Sequence, residues 1–345
     1  MPIGLIGSCG ERRWRGVAWR GETGKIRDES TGGTSSGNAS GNPPVEFLSE
    51  QGLLHFNTNK EIPARLKQHG FDATDDPESE YILEHVSYQH LRPYIKSLFT
   101  LTQLEPPNIK IAHDLLTFDR RMQSVLLRYI GIFESQFKAQ YLASFAAQHG
   151  AYALYAPDLF LRANYYETSL GYYESEVAKR VSRDGAYRRH YKEGDGKLPL
   201  WMGLECMTLG TVASFYSNTA DRKVTDWVAG SFGVTKSELV SWTKTITSIR
   251  NICAHFEPLF VRKQLPAQPK RIKGTTCPRR APLYSVVLVA HLLRNSIDTS
   301  DKNLEYGRSL ETEASIEIEY FQRYFNGAIP LPNFPFNWRT HLHSI

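Results

Sequence analysis

The segment Ala112-His-Asp-Leu-Leu-Thr-Phe-Asp-Arg-Arg-Met-Gln-Ser-Val-Leu-Leu-Arg-Tyr-Ile-Gly-Ile-Phe-Glu-Ser-Gln-Phe-Lys-Ala-Gln-Tyr141 decides the fold class. Phe118, Met122, Leu126, Tyr129, Phe133, Phe137 and Tyr141 follow one another at steps of four, four, three, four, four and four. Positions three and four apart share one helix face, so the seven form a single apolar stripe over many turns. The spacing predicts a long helix from about Ala112 to Gln148, with the stripe buried.

The flanking sequence reads the same way. Glu61 to Gly70 is a short helix closed by glycine, and Tyr81 to Leu98 an amphipathic one with Pro93 as a break or kink. Tyr155 to Arg189 is helical and ends at the Gly194-Asp-Gly196 turn; Leu198 to Tyr216 is apolar enough for a buried helix. Thr235-Lys-Ser-Glu238 has the form of a capping box, launching a helix that buries Leu239, Trp242, Ile246, Ile249 and Cys253. Pro258, Pro266, Pro269 and Pro282 mark an irregular loop. Further helices cover about Leu283–Arg294 and Ser315–Phe325, before a Pro-rich C-terminus. No run of alternating strands appears, so the class is all-α. Residues 1–45 read as a disordered tail, with Ser30 to Pro44 a low-complexity linker. The helical domain covers 57–265, and 266–345 form a basic loop and a C-terminal helical extension.

Composition narrows the function. The chain has 345 residues, and the longest apolar runs, such as Ser285 to Leu293, are too short to span a bilayer. Four scattered cysteines form no CxxC pair, which argues against a disulfide scaffold or a zinc ribbon and points to a reducing, cytoplasmic setting. Ile6-Gly-Ser-Cys9 lacks the leader of a lipid-attachment site. The net charge of +5 is unevenly spread: part of the excess lies in residues 1–45, and two internal stretches are more concentrated, Lys179 to Lys197, and Arg262 to Arg280, which holds no acid. In the second, Arg262, Lys263, Lys270 and Arg271 are candidate RNA contacts, because the stretch begins just past the candidate active residues.

Those residues lie in Ser248-Ile-Arg-Asn-Ile-Cys-Ala-His255. A guanidinium clamps a phosphate bidentately and offsets transition-state charge, and an imidazole moves a proton near neutral pH. With the 2′-hydroxyl of RNA as nucleophile, the pair suffices for phosphodiester cleavage without metal. Five residues turn an ideal helix through about 500°, so Arg250 and His255 point roughly 140° apart, whereas Asn251 shares the face of His255 and can orient it. Cys253 and His255 are two metal ligands without partners at zinc spacing, so no metal or cofactor is expected, and Cys253 is assigned to the core.

Arg250-Asn-Ile-Cys-Ala-His255 at the end of a long helix resembles the signature of HEPN-domain proteins. It looks most like the Abi (abortive infection, AbiD/AbiF-like) family of bacterial phage-defence proteins. Tyr88 to Tyr94, Leu115 to Met122 with Ile132 to Lys138, Leu198 to Glu205 with Leu209 to Val212, and Ser241 to His255 resemble the family's blocks in order. The resemblance implies a HEPN-like helical bundle with additional N-terminal and C-terminal helices. It also implies metal-independent RNA cleavage by Arg250 and His255, with Asn251 in the polar position, and two copies meeting in a homodimer. An antitoxin or a non-coding RNA is the further partner it suggests. Where the family often has a second His and then Arg-Leu-Trp-Asn, this chain reads Phe256 and Pro258-Leu-Phe-Val261. That departure keeps open a non-catalytic module that binds RNA or protein. Glu134, with Lys138 at i+4, and Glu205 are candidate supports for the site.

Overall fold

The computed structural model describes residues 61–68, 70–72, 76–99, 108–295, 301–324 and 337–342. The tail 1–45, Cys9 and the Pro-rich stretch after Tyr324 lie outside them. Among the described residues there are thirteen helices and no strand, in line with the all-α expectation. They are α1 (Glu61–Gln68), α2 (Pro77–His85), α3 (Tyr88–Phe99), α4 (Ile109–His149), α5 (Ala163–Arg183), α6 (Gly185–Glu193), α7 (Leu200–Cys206), α8 (Leu209–Asn218), α9 (Arg222–Gly230), α10 (Lys236–Ala254), α11 (Tyr284–Asn295), α12 (Asp301–Tyr324) and α13 (Trp338–Leu342). None is long and apolar enough to cross a membrane.

The chain divides into two compact units between Asp114 and Leu115, inside α4. In the first, Asp76 caps α2 by accepting from the N–H groups of Glu78 (3.0 Å) and Ser79 (3.1 Å), and Lys110 pairs with both Asp76 (3.2 Å) and Glu78 (2.9 Å). The helix expected over Tyr81–Leu98 is broken at Val86, whose backbone is extended, and Pro93 sits inside an uninterrupted α3.

In the second unit the stripe of α4 is buried along its whole length, from Phe118 through Tyr141 and on to Phe145. Burying each such side chain is worth about 1.5–3 kcal/mol. The rings stack on one another and on what surrounds them. Phe133 and Phe137 meet Phe232, Phe137 and Tyr141 meet Tyr216 of α8, and Phe145 meets Phe160. Helix α8 in turn packs against α5 and α10, and α10 against α9 and α11. On another side, α12 clasps α4 through Glu313, which receives Arg128 and the Tyr129 hydroxyl (2.7 Å), and through Phe321 on Phe118.

Two long helices in the expectation are in fact pairs. Asp184 ends α5 and caps α6, accepting from the N–H of Ala186 (3.0 Å). Met207 ends α7, and the Thr208 side chain caps α8. Helix α9, opened by the cap Asp221, is a further element that apolar periodicity had not marked.

Helix α7 is held against α5 at Gly203. A Cβ there would lie 2.5 Å from the Tyr173 hydroxyl and 3.2 Å from its ring. Tyr173 cannot retreat: it is fully buried, and its hydroxyl bonds that of Tyr155 (3.1 Å), which accepts from the N–H of Leu198 (3.0 Å). Gly203→Ala is therefore expected to destabilise the fold. The overpacking cost of about 1–3 kcal/mol outweighs a helix-propensity gain of at most about 1 kcal/mol. Urea denaturation checks it, the midpoint falling below that of wild type.

Candidate functional site

Helix α10 carries the candidate residues at its C-terminal end, and both of its ends are defined. At the start, Thr235 Oγ1 accepts from the Glu238 N–H (3.3 Å) and Glu238 Oε2 from the Thr235 N–H (2.9 Å), the expected capping box. The Thr235 hydroxyl, which donates to Glu238 Oε2 (2.7 Å), and then the Thr235 N–H hold the Glu238 carboxyl below its ordinary pKa. Along the helix Leu239, Trp242, Ile246, Ile249 and Cys253 are buried as read from the sequence. Burial first, and then the charge of Asp119, push the Cys253 thiol up to about 12. Cys253 is a packing residue and not a nucleophile.

At the far end His255 is the C-cap. Its N–H reaches the Asn251 carbonyl (3.0 Å), the Phe256 N–H the Cys253 carbonyl (3.2 Å), and the Glu257 N–H the Ile252 carbonyl (3.0 Å). This is a Schellman ending, whose residue after the cap must enter the left-handed region. Helices α1 and α4 put Gly70 (φ +76°) and Gly150 (φ +83°) in that role, but α10 puts Phe256 there, at φ +52°. A bulky L-residue in that conformation costs about 1–2 kcal/mol.

The chain is held in this turn by three residues within two turns of α4. Asp119, fully buried, accepts from the N–H groups of Leu259 (3.0 Å) and Phe260 (2.9 Å). The Gln123 amide donates to the Glu257 carbonyl (2.7 Å), and the Arg120 guanidinium lies 5.8 Å from the centre of the Phe256 ring. Beyond the turn, Arg262 bonds Glu257 (2.7 Å) and the Pro258 carbonyl. Sequence reasoning did not single out Asp119, Arg120 or Gln123. The signal for Asp119 was present, since it occupies a core position in the Leu115, Met122, Leu126 spacing.

Arg250 is half-buried, while Asn251 and His255 are exposed one turn apart on the same face. The Arg250 guanidinium approaches Asn251 Oδ1 at 3.5 Å, the outer limit of a hydrogen bond. Glu134 is paired with Lys138 (3.0 Å), and Lys138 also donates to the Met207 carbonyl (2.8 Å), which pins the break between α7 and α8. Glu205 is exposed on α7.

The basic loop is packed rather than free. Trp242 donates to the Lys270 carbonyl (2.8 Å), the Lys270 N–H bonds Ser241 (2.9 Å), and its ammonium bonds Ser237 (2.9 Å). The Lys270 backbone thus sits by the second turn of α10 and its ammonium by the first, about 13 Å and about 20 Å along the axis from Arg250 at 1.5 Å per residue. Arg271 bonds the Thr275 carbonyl (3.3 Å), and Lys263 is exposed. Of the four basic candidates, the structure sets Arg262 beside the helix end and Lys270 far from it.

Removing the Asp119 carboxylate orphans two buried N–H groups. Asp119→Ala is expected to lower stability by about 2–3 kcal/mol in chemical denaturation, and Asp119→Asn, which keeps one acceptor, by less.

A family model described as Abi-like protein matches residues 81–261, just over half of the chain. The match includes Arg250, Asn251 and His255 with their supports on α4, and stops before Arg262, Lys263, Lys270 and Arg271. Comparison with curated proteins and with solved structures finds no match. With its ordered helical blocks and its anchored Arg–Asn–His helix end inside the matched span, the chain belongs to the Abi-like protein family.

Proposed function

We propose that this protein is a bacterial abortive-infection effector of the HEPN type, which cleaves RNA without metal at the end of α10. The observation that carries this reading is the helix end itself. A half-buried guanidinium lies 3.5 Å from an amide, and an exposed imidazole stands one turn on from that amide, just before a chain segment held by a buried carboxylate. In the reaction the RNA 2′-oxygen bonds to phosphorus as the bond from phosphorus to the 5′-oxygen breaks, leaving a 2′,3′-cyclic phosphate and a 5′-hydroxyl. His255 takes the proton of the 2′-hydroxyl. Arg250 neutralises the phosphoryl oxygens as charge builds, and Asn251 orients its neighbours. Because Arg250 and His255 diverge on the helix, the complete site draws on two copies in a homodimer. The second copy's imidazole then protonates the leaving 5′-oxygen. Function in the cytoplasm, restrained by an antitoxin or a non-coding RNA, fits a toxic activity of this kind.

A second reading is a non-catalytic HEPN module that binds RNA or a protein partner. It is favoured by Phe256 and Pro258 to Val261, which stand where the family often carries a second His and a polar run.

The test is cleavage of RNA in EDTA. Wild type is expected to yield fragments with cyclic phosphate ends, and Arg250→Ala and His255→Ala to lose at least about 100-fold in rate. Intact RNA with wild type, together with unchanged growth when it is overproduced, would favour the non-catalytic reading.

A further inference from the structure

The residue that follows His255 is a contradiction in ordinary terms. Phe256 occupies the left-handed position that α1 and α4 give to glycine, and among the described residues only Asp195 shares a positive φ without being glycine. Strain of this kind is commonly offset by burial, yet the residue is 47% exposed. Its immediate surroundings are nevertheless rigid: Asp119 holds Leu259 and Phe260, Gln123 holds the Glu257 carbonyl, and Arg262 holds the Glu257 carboxylate. Over the ring lies a cation, Arg120, delivered from a different helix. The fold thus fixes an open aromatic face and a planar, multiply donating group next to the imidazole. Backbone strain held in place by a rigid surround points to use of the side chain.

We propose that Phe256 and Arg120 form a nucleotide subsite, in which a base of single-stranded RNA stacks on the Phe256 ring and Arg120 meets the adjoining phosphate. The proposal rests on the RNA-directed reading above and deepens it, naming what places the scissile linkage beside His255. Every base presents a π-face, so stacking on one ring confers affinity without strict sequence preference. The guanidinium suits a phosphate through its paired donors, and it can keep its contact with the ring while doing so.

The experiment uses the full chain and a fluorescein-labelled single-stranded oligonucleotide of mixed sequence with 2′-O-methyl sugars, which lacks the nucleophile and cannot be cut. Phe256→Gly and Phe256→Asn both accept the left-handed conformation. They are expected to melt at or up to about 4 °C above wild type and to bind the oligonucleotide about tenfold more weakly. Phe256→Trp restores wild-type affinity, and Arg120→Gln weakens binding and flattens its salt dependence. Two results would overturn the subsite: unchanged affinity in the glycine variant, or a fall in melting temperature in the glycine and asparagine variants that tracks the affinity loss. The cleavage reading fails separately. Ring-dependent binding with no cutting of natural RNA sinks catalysis and leaves the subsite standing. Cutting that is indifferent to Phe256 does the reverse.

Discussion

A carboxylate taken out of water must be met by donors, or its burial costs several kcal/mol. Asp119 satisfies that requirement with the backbone N–H groups of Leu259 and Phe260, far away in sequence. The bonds tie the first third of the longest helix to the chain leaving α10, and they do so at the residues that follow His255. Gln123, one turn along, takes the Glu257 carbonyl, and Arg120 covers Phe256. The direction in which the chain exits α10, and with it the place of the imidazole, is therefore set by α4.

What was legible in the sequence follows from how local each signal is. The stripe on α4 and the capping box of α10 are written in residues three and four apart, and both stand as read. The breaks at Val86, Asp184 and Met207 were harder, because each falls inside a segment whose apolar positions carry on across it. The Met207 break is held by Lys138, a residue of another helix. Helix α9 was missed because it is nine residues long and offers two basic and one acidic side chain around a short apolar face.

The site divides in the same way. The Arg250, Asn251 and His255 pattern was readable, since all three belong to one helix. Asp119 was readable as an acid at a core position, but its partners were not, because backbone N–H groups leave no trace in a sequence. Nearness in sequence is not nearness in space for Lys270. The loop after His255 doubles back along α10, so a residue fifteen positions on lies beside Ser237 and Ser241 rather than beside the imidazole. The span shared with the Abi-like family ends at Val261, just after the last N–H that Asp119 receives. The shared portion therefore contains both halves of the anchor. The clasp of α12 on α4 through Glu313 joins to it residues outside that span.

The claim on which the account turns is that the segment after His255 is rigid because a buried carboxylate holds it. Amide hydrogen exchange of the full chain measures this directly. The account predicts that the Leu259 and Phe260 amides exchange as slowly as core amides of α10 such as Ile249. Exchange of those two amides at the rate of an open loop, with Ile249 still protected, would contradict it.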